Sequence, residues 1–459
     1  MAIQRRQGRF GARIARSGLP GLAGFLTLLM AAHGPRAFPQ APREPVTLTL
    51  VDGELASRES QHVPDLDLAE FTRQTGIQVK RVQGPEGSLN QLAIWRESLR
   101  RGAAGTADVY TVDVIWSPML AEYLVDLTRQ FSSAEIAALD PMVVAAYSVD
   151  GKLLAIPYRV MFGVLLYRKD LLRRHGYATP PATWDELEVM AARIQKSERA
   201  RGERDFWGFV WQGAASEALT CNALEWQAAE GGGRIIEENK AVSVNNPRAT
   251  GAWQRAARWV GWISPPGVVA YREWDTTNVW SAGRAAFFRT WESDHLFMDW
   301  TDSAKNRIRG VLSGAKIGVT RLPGGRSGRA STLGGTGLGV SRASPHSREA
   351  LELVRFLSRR RAERRLAPRE GLGPEMPEAY DLANLIAPAG TGGVAQRPAD
   401  LVARPSVVAG PKYEAVTTAF IRAVHSVLTG ETSATTAASA LENELVAITG
   451  FEKGPPRRD

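Results

Sequence analysis

The amino-acid sequence predicts an α/β protein in which many strands run parallel. Two observations support this prediction. Short apolar segments with strand character alternate with amphipathic helical segments after residue 46, which is typical of strands connected through helices. In addition, 459 residues with 44% hydrophobic and 23% charged content are enough for two or three domains with their own cores.

A central segment, Leu153–Gly176, has the character of a strand that connects two parts of a molecule. It contains two apolar runs, LLAIPY and GVLLY, followed by a basic helix start. The short runs and the flanking Pro157 and Gly163 favour buried strands over a helix. A strand that leaves one packed unit and enters another makes a hinge. The alternative is a core strand of one α/β domain, and this segment alone does not decide between the two.

Local patterns predict the elements that precede this segment. Residues 46–51 (VTLTLV) alternate in polarity and predict the first strand. Residues 71–82 contain the end of a helix, stopped by Gly76, and a second strand. Ser88–Arg101 predicts an amphipathic helix with Ser88 as its N-cap, and Asp108–Trp116 predicts an apolar strand with two carboxylates.

Capping signals and periodicity predict the remaining elements. The capping signals are Ser117 with Pro118, Ser132 with Glu135, and Thr183 with Glu186. Further strands are predicted at residues 206–211, 317–321 and 337–341. Further helices are predicted at residues 214–230, 247–263, 413–428 and 433–448, and another begins at Ser344 and Pro345.

The net charge of +9 comes mainly from the N-terminus. Residues 1–45 carry seven arginines and one glutamate, which leaves +3 for the rest of the chain, so no nucleic-acid partner is expected. Five of the arginines precede a short apolar run at residues 19–32, the layout of an export signal. We therefore expect a periplasmic or other extracytoplasmic location. Because Pro35 follows the small residues Ala32 and Gly34, an uncleaved N-terminal segment that retains the protein stays open.

Residues for catalysis or metal binding do not form a recognisable pattern. Cys221 is the single cysteine, so no intramolecular disulfide or cysteine-based zinc site is expected, and the helical surroundings predict a small buried side chain. Phosphate-binding, dinucleotide-binding and hydrolase motifs do not occur. The odd separation of Asp108 and Asp113 within one strand predicts opposite faces rather than a glycosidase pair. We expect no enzyme activity, no cofactor and no metal.

The supply of aromatic side chains suits a carbohydrate ligand. The chain has 13 tryptophans, several of them beside glycine or a charged residue. Sugars are held by flat aromatic surfaces together with planar groups that form two hydrogen bonds. Most of the tryptophans are expected to lie in the core, with one or two available to a ligand.

Five segments give a more specific resemblance, and they occur in the order that a known family shows. They are DVYTVDVIWSPMLAEYLVDL, GFVWQGAASEALTCNALEWQAAEGG, FFRTW, LPGG…LGG…LGVS and RPS…Y. Together with the GVLLYRKDLL phrase, these segments resemble the trehalose/maltose-type branch of the family 1 extracellular solute-binding proteins of ABC transporters. The resemblance covers nearly all of the chain after residue 46.

The resemblance implies a type II periplasmic binding protein-like fold, with two α/β lobes and a ligand cleft between them that closes on binding. Residues 46–157 and 316–365 would form lobe 1, and residues 158–315 and 366–450 would form the helix-rich lobe 2. An export segment, residues 1–45, would precede the lobes, and a loose tail, residues 451–459, would follow them.

The resemblance also implies ligand-binding residues. Asp113 matches a carboxylate that accepts sugar hydroxyls in this branch, Trp291 matches a stacking tryptophan, and Arg404 matches the arginine of an RP motif. Glu217 matches the glutamate of a YEGL phrase, although Ser216 stands where the tyrosine is usual.

Three positions depart from the family pattern. Arg159 and Met161 stand where an aromatic residue and an aspartate are usual, and Thr336 replaces a tryptophan. One carboxylate and two aromatic surfaces are therefore lost. The departures predict a ligand other than a standard α-linked disaccharide in its standard pose.

The leading prediction is an exported, monomeric substrate-binding protein that delivers a carbohydrate or polyol to the transmembrane permease subunits of an ABC importer. Arg159 and Arg404 leave open a phosphorylated or carboxylated sugar. A sugar-sensing module is a further alternative. An exported glycan-processing enzyme is less favoured, because it would need a pair of carboxylates in one cleft.

Overall fold

The structure is a computed structural model that describes residues 46–53, 65–85, 87–102, 107–137, 139–292, 317–366 and 400–456. The described residues form one compact unit. The predicted export segment lies outside the described residues, as do residues 293–316, 367–399 and the last three residues of the predicted tail.

The strands of the described part are, in chain order, β1 (Thr47–Asp52), β2 (Gln78–Gln83), β3 (Val109–Asp113), β4 (Ser148–Val149), β5 (Lys152–Leu153), β6 (Ile156–Arg168), β7 (Trp207–Val210), β8 (Ala285–Glu292), β9 (Ile317–Arg321), β10 (Ser331–Val340) and β11 (Leu401–Val402).

The α-helices are α1 (Asp65–Thr75), α2 (Ser88–Arg100), α3 (Ser117–Leu120), α4 (Ser133–Ala137), α5 (Pro141–Ala146), α6 (Lys169–Arg174), α7 (Trp184–Ala200), α8 (Glu217–Ala229), α9 (Pro247–Trp259), α10 (Glu273–Ser281), α11 (Ser347–Leu366), α12 (Ser406–Ala409), α13 (Tyr413–Leu428) and α14 (Ala434–Thr449). Within the described residues, two short 3₁₀ helices, Pro266–Ala270 and Gly410–Lys412, lie between them.

Nine of the described strands form one mixed sheet. Its order is β2-β1-β3-β10-β6-β8-β7, with β11 paired to β10 and β9 paired to β6. Strand β1 runs parallel to β2 and β3, and β7 runs parallel to β8. In the middle, β10 is antiparallel to both β3 and β6, and β6 is antiparallel to β8 and β9. The parallel pairing predicted from the sequence therefore holds toward the two ends of the sheet, while the centre is antiparallel.

Strand β6 is the predicted connecting segment. The end of the first apolar run and the whole second run lie in one continuous strand of 13 residues, and only Met161 and Tyr167 in it are partly exposed. Leu153, at the start of the first run, belongs to β5. A strand covered on both faces is apolar along most of its length rather than alternating. The prediction of two short strands was therefore wrong in extent. The following helix begins at Lys169 and ends before Gly176, which has a φ of 77°.

The capping signals give two outcomes. Ser132 and Glu135 form the predicted capping box. The N–H of Ser132 donates to the carboxylate of Glu135, and the N–H of Glu135 donates to the hydroxyl of Ser132. Ser88 does not cap α2; the N-cap is Gly87, and the hydroxyl of Ser88 donates instead to Oδ2 of Asp113 at 2.9 Å. The side chain of Ser88, in the first turn of α2, thus contacts strand β3 instead of capping its own helix.

Most of the tryptophans pack in the core, as the sequence predicted. Trp211 and Trp226 lie edge to face with centroids 5.0 Å apart, and Trp226 and Trp259 lie 5.5 Å apart. Trp184 joins this group through Trp259. Cys221 is also buried, as predicted.

The first part of the predicted loose tail is attached to the unit. The N–H of Val242 donates to the carbonyl of Glu452 at 2.9 Å, and the N–H of Gly454 donates to the carbonyl of Val242 at 3.1 Å. These bonds form an isolated parallel bridge between Lys453 and Val242, which the charged and proline-rich sequence did not indicate.

Candidate ligand-binding site

Three of the predicted site residues lie in one row across the centre of the sheet. Asp113 in β3 is directly opposite Thr336 in β10, and Thr336 is directly opposite Arg159 in β6. Directly opposed residues of antiparallel strands place their side chains on the same face. The row therefore brings together Asp113 and Thr336, which lie more than 200 residues apart in the chain, with Arg159 beside Thr336.

A second set of residues extends this face toward β8. Met161 is opposite Gly334, and Gly163 is opposite Trp291. Because Arg159, Met161 and Gly163 alternate along β6, they project to the same side. Asp113, Met161 and Trp291 are partly exposed, whereas Arg159 and Thr336 keep only 2% and 9% of their surface exposed. We call this set of residues the polar face.

Arg404 links the polar face to helix α8. Its Nη1 donates to Oε1 of Glu217 at 3.0 Å, and its Nη2 donates to the carbonyl of Leu333 at 3.4 Å. The same Nη2 lies 3.5 Å from Oδ1 of Asp113. One buried guanidinium therefore stands between two carboxylates, of which only that of Asp113 is partly exposed.

Glu217 begins α8 and is buried. Its carboxylate accepts hydrogen bonds from the hydroxyls of Tyr413 and Thr417, both at 2.6 Å, in addition to the one from Arg404. Burial raises the pKa of Glu217, and the charge of Arg404 and the two hydroxyls act in the opposite direction. The carboxylate is thus occupied by groups of the protein itself.

Asp113 has several internal partners and remains partly open. It accepts from the hydroxyl of Ser88 at 2.9 Å and from the N–H of Ile115 at 3.3 Å. Burial raises the pKa of the nearby Tyr147, and the negative charge of Asp113 adds to this rise. A carboxylate has about four acceptor positions, so Asp113 can accept further hydrogen bonds from the exposed side.

The sequence analysis missed the side chains that hold the predicted residues. Tyr413 and Thr417 lie four positions apart on α13 and therefore share a face. Behind Trp291, Arg289 donates from Nε and Nη2 to the two oxygens of Glu225, at 3.0 and 2.5 Å. The available signal was a charged residue in each of two apolar elements, the FFRTW strand and the middle of α8.

The described residues show neither a group of three or more metal-binding side chains nor a helix that is long and apolar enough to cross a membrane.

The mixed α/β sheet and the polar face point to a protein of the periplasmic solute-binding class. The family model described as "Bacterial extracellular solute-binding protein" matches residues 61–363. The chain belongs to this family. The predicted family and the predicted fold class are thereby confirmed, while the lobe boundaries and the individual site residues stay predictions.

Similar proteins agree with this membership. A "Probable ABC transporter-binding protein" of Deinococcus radiodurans is 39% identical over 383 residues, which are 83% of this chain and 89% of that protein. The maltose-bound structure of T. maritima MalE3 is 30% identical with a TM-score of 0.73 and covers 88% of this chain and 100% of that one. A solute-binding protein of Thermotoga lettingae bound with α-D-tagatose has a TM-score of 0.70 at 21% identity, over 88% of this chain and 100% of that one.

Proposed function

We propose that this chain is the substrate-binding component of an ABC importer and that its ligand is a neutral carbohydrate or polyol. The observation that carries the proposal is the partly exposed carboxylate of Asp113 on the same face as the partly exposed indole of Trp291. A carboxylate accepts hydrogen bonds from hydroxyls, and an indole covers the C–H side of a sugar ring. The Deinococcus relative and the maltose-bound structure support the same function.

The charges of the site favour a neutral ligand over an anionic one. The guanidinium of Arg404 has Glu217 at 3.0 Å and Asp113 at 3.5 Å, so its charge is matched within the protein. Arg159 is buried and interacts with other groups of the protein. Among the described residues of the polar face, the partly exposed charge is therefore the carboxylate of Asp113. This carboxylate would repel the negative charge of a phosphorylated or carboxylated sugar.

The residues divide into those that contact the ligand and those that hold them. Asp113 and Trp291 would contact the ligand directly, with Met161 between them on β6. Arg404 would hold Asp113 in place from the buried side, and Glu217 would in turn hold Arg404. Closure of the lobes around the ligand would follow from a higher ligand affinity of the closed state.

The partner and the location follow from the family. A binding protein of this kind works outside the cytoplasm and delivers its ligand to the transmembrane subunits of the permease. We propose that this chain does so as a monomer, with the N-terminal segment either cleaved or retained as an anchor. A sensing role remains the alternative, and it would be favoured if deletion of the chain changed a sugar response without changing sugar uptake.

A thermal-shift screen tests the proposed ligand class. The panel contains maltose, trehalose, ribitol and glucose 6-phosphate, which represent neutral disaccharides, a polyol and an anionic sugar. A ligand that binds only the native state raises the apparent stability by RT ln(1 + [L]/Kd). We expect a neutral member to stabilise the protein and glucose 6-phosphate to have no effect. Stabilisation by glucose 6-phosphate alone would contradict the proposal.

A further inference from the structure

Trp291 rests against a buried ion pair. The guanidinium carbon of Arg289 lies 4.1 Å from the centroid of the indole ring. Arg289 binds both oxygens of Glu225, and both side chains are 0% exposed. A bidentate pair fixes the plane of the guanidinium. A fixed cation against one face of an indole in turn restricts the ring.

Further bonds fix the pair itself. The side-chain amide of Gln212 donates to the carbonyl of Arg289 at 3.0 Å, and Nη1 of Arg289 lies 3.4 Å from Oε1 of Gln212. The N–H of Thr332 donates to Oε1 of Glu225 at 3.1 Å. The pair therefore joins β8, α8 and β10, and β10 is the strand that carries Thr336.

Two glycines leave the space that the ring and the pair occupy. A Cβ atom on Gly334 would lie 2.9 Å from Cζ3 of Trp291, and a Cβ atom on Gly163 would lie 2.8 Å from Nη2 of Arg289. Contacts this short do not occur between a real Cβ and its neighbours. Neither glycine has a positive φ, so the need at these positions is for space rather than for backbone freedom.

We propose that Arg289 is a positioning residue for Trp291: held by Glu225, it keeps the indole over Gly334 and presents the rest of the ring on the polar face. Arg289 is fully buried and acts through Trp291. The inference rests on the proposed function only in assigning a ligand contact to Trp291, because the positioning belongs to the ligand-free protein. A ring that is already fixed loses less conformational freedom when a ligand binds.

Fluorine NMR on protein labelled with 5-fluorotryptophan tests the positioning without a ligand. The Trp291→Phe variant assigns the resonance of Trp291. The double variant Arg289→Met/Glu225→Gln removes the cation without leaving a lone buried charge, and the glutamine keeps an oxygen for the N–H of Thr332. We expect the Trp291 resonance to shift or broaden more than that of any other tryptophan.

The chain offers a matched control for this experiment. Arg199 stacks on Trp207 with its guanidinium carbon 4.2 Å from the ring centroid. Arg199→Met should change the Trp207 resonance and leave the Trp291 resonance in place. Gly334→Ala should displace the Trp291 ring, whereas Gly251→Ala, where the added Cβ meets no atom within 4 Å, should not.

An unchanged position and width of the Trp291 resonance in the double variant overturns the proposal. If the double variant lacks a folding transition, Arg289→Lys replaces it, because lysine keeps the charge opposite Glu225 and loses the planar fork. An unchanged Trp291 resonance in Arg289→Lys then overturns the proposal.

Calorimetry with the four panel compounds separates this proposal from the proposed function. For a compound that binds the wild type, we expect the double variant to weaken binding by about tenfold, because the binding step must then also restrict the indole ring. In a Trp291→Ala background the double variant should have no further effect. Unchanged affinity in Trp291→Ala would refute the contact between Trp291 and the ligand. The fluorine NMR result would still decide whether Arg289 positions the Trp291 ring.

Discussion

Two buried arginines near the polar face pair with glutamates of the same helix, α8, and they do so in different ways. Arg289 forms a closed, bidentate pair with Glu225, and neither side chain is exposed. Arg404 gives one nitrogen to Glu217 and places another 3.5 Å from Asp113, whose side chain keeps 21% of its surface exposed. Arg289 therefore acts on a partly exposed aromatic ring of the polar face, that of Trp291, whereas Arg404 acts on a partly exposed carboxylate, that of Asp113.

The difference assigns different consequences to the two pairs. A change at Arg289 should affect ligand affinity through the orientation of the Trp291 ring, and therefore through packing rather than through charge. A change at Arg404 should affect both the buried carboxylate of Glu217 and the charge at Asp113, because its guanidinium lies between them. Four substitutions distinguish these consequences.

The largest effect is expected for Arg404→Ala. This change leaves Glu217 buried without its cation, and breaking a buried ion pair from one side costs about 3–5 kcal/mol. Urea unfolding should show a fall of that size in the free energy of unfolding.

Two further variants calibrate this result. Arg404→Met/Glu217→Gln removes both charges and should lose much less stability than Arg404→Ala. Arg422→Ala breaks an exposed pair with Glu444 and should change stability by about 0–1 kcal/mol. A loss below about 1 kcal/mol in Arg404→Ala would indicate that Glu217 is protonated in the native protein, in line with the direction in which burial moves its pKa.

A smaller effect, on binding rather than stability, is expected for Trp291→Ala. Loss of a stacking surface should weaken binding of a panel compound by about 1–3 kcal/mol, measured by calorimetry. The fold should survive, because the ring is partly exposed. Trp207→Ala removes another tryptophan that stacks on an arginine and should leave binding unchanged. Unfolding of Trp291→Ala would show that the ring belongs to the core.

The sequence predicted the members of the polar face better than their arrangement. Asp113 and Trp291, and Arg404 next to the face, stand in recognisable phrases, so a resemblance points to them one by one. The row of Asp113, Thr336 and Arg159 depends on the register of β10 against two strands, and register follows from pairing between distant segments rather than from local pattern.

The arrangement behind Trp291 was beyond prediction for a related reason. Arg289 and Glu225 are 64 residues apart and make their bond in the interior, where a charged residue within an apolar segment gives no sign of its partner. The continuous strand β6 was likewise divided in the prediction, because its apolar runs are short and are flanked by Pro157 and Gly163, and local pattern does not show that both residues fit within one strand.

A third substitution, Asp113→Asn, tests the exposed end of the Arg404 pair. It keeps the shape of the side chain and replaces one acceptor oxygen by a donor nitrogen. Ligand affinity should fall by about 1 kcal/mol, the net value of a hydrogen bond, with little change in melting temperature. Unchanged affinity together with a lower melting temperature would show that Asp113 is only an acceptor for Ser88 and Ile115.

The smallest effect is expected for Thr336→Val, between Asp113 and Arg159 in the row. Within the described part of the chain, the buried Oγ1 of Thr336 has no hydrogen-bond partner. An unsatisfied buried hydroxyl is unfavourable, and valine has the same shape without it, so the ligand-free protein should gain up to about 1 kcal/mol of stability. If the hydroxyl instead serves a sugar, the same change should weaken sugar binding while it stabilises the free protein. Thermal unfolding and calorimetry on one preparation measure both quantities. Lower stability with unchanged binding would show that Thr336 has a partner within the folded protein, and the polar face would then consist of Asp113, Met161 and Trp291.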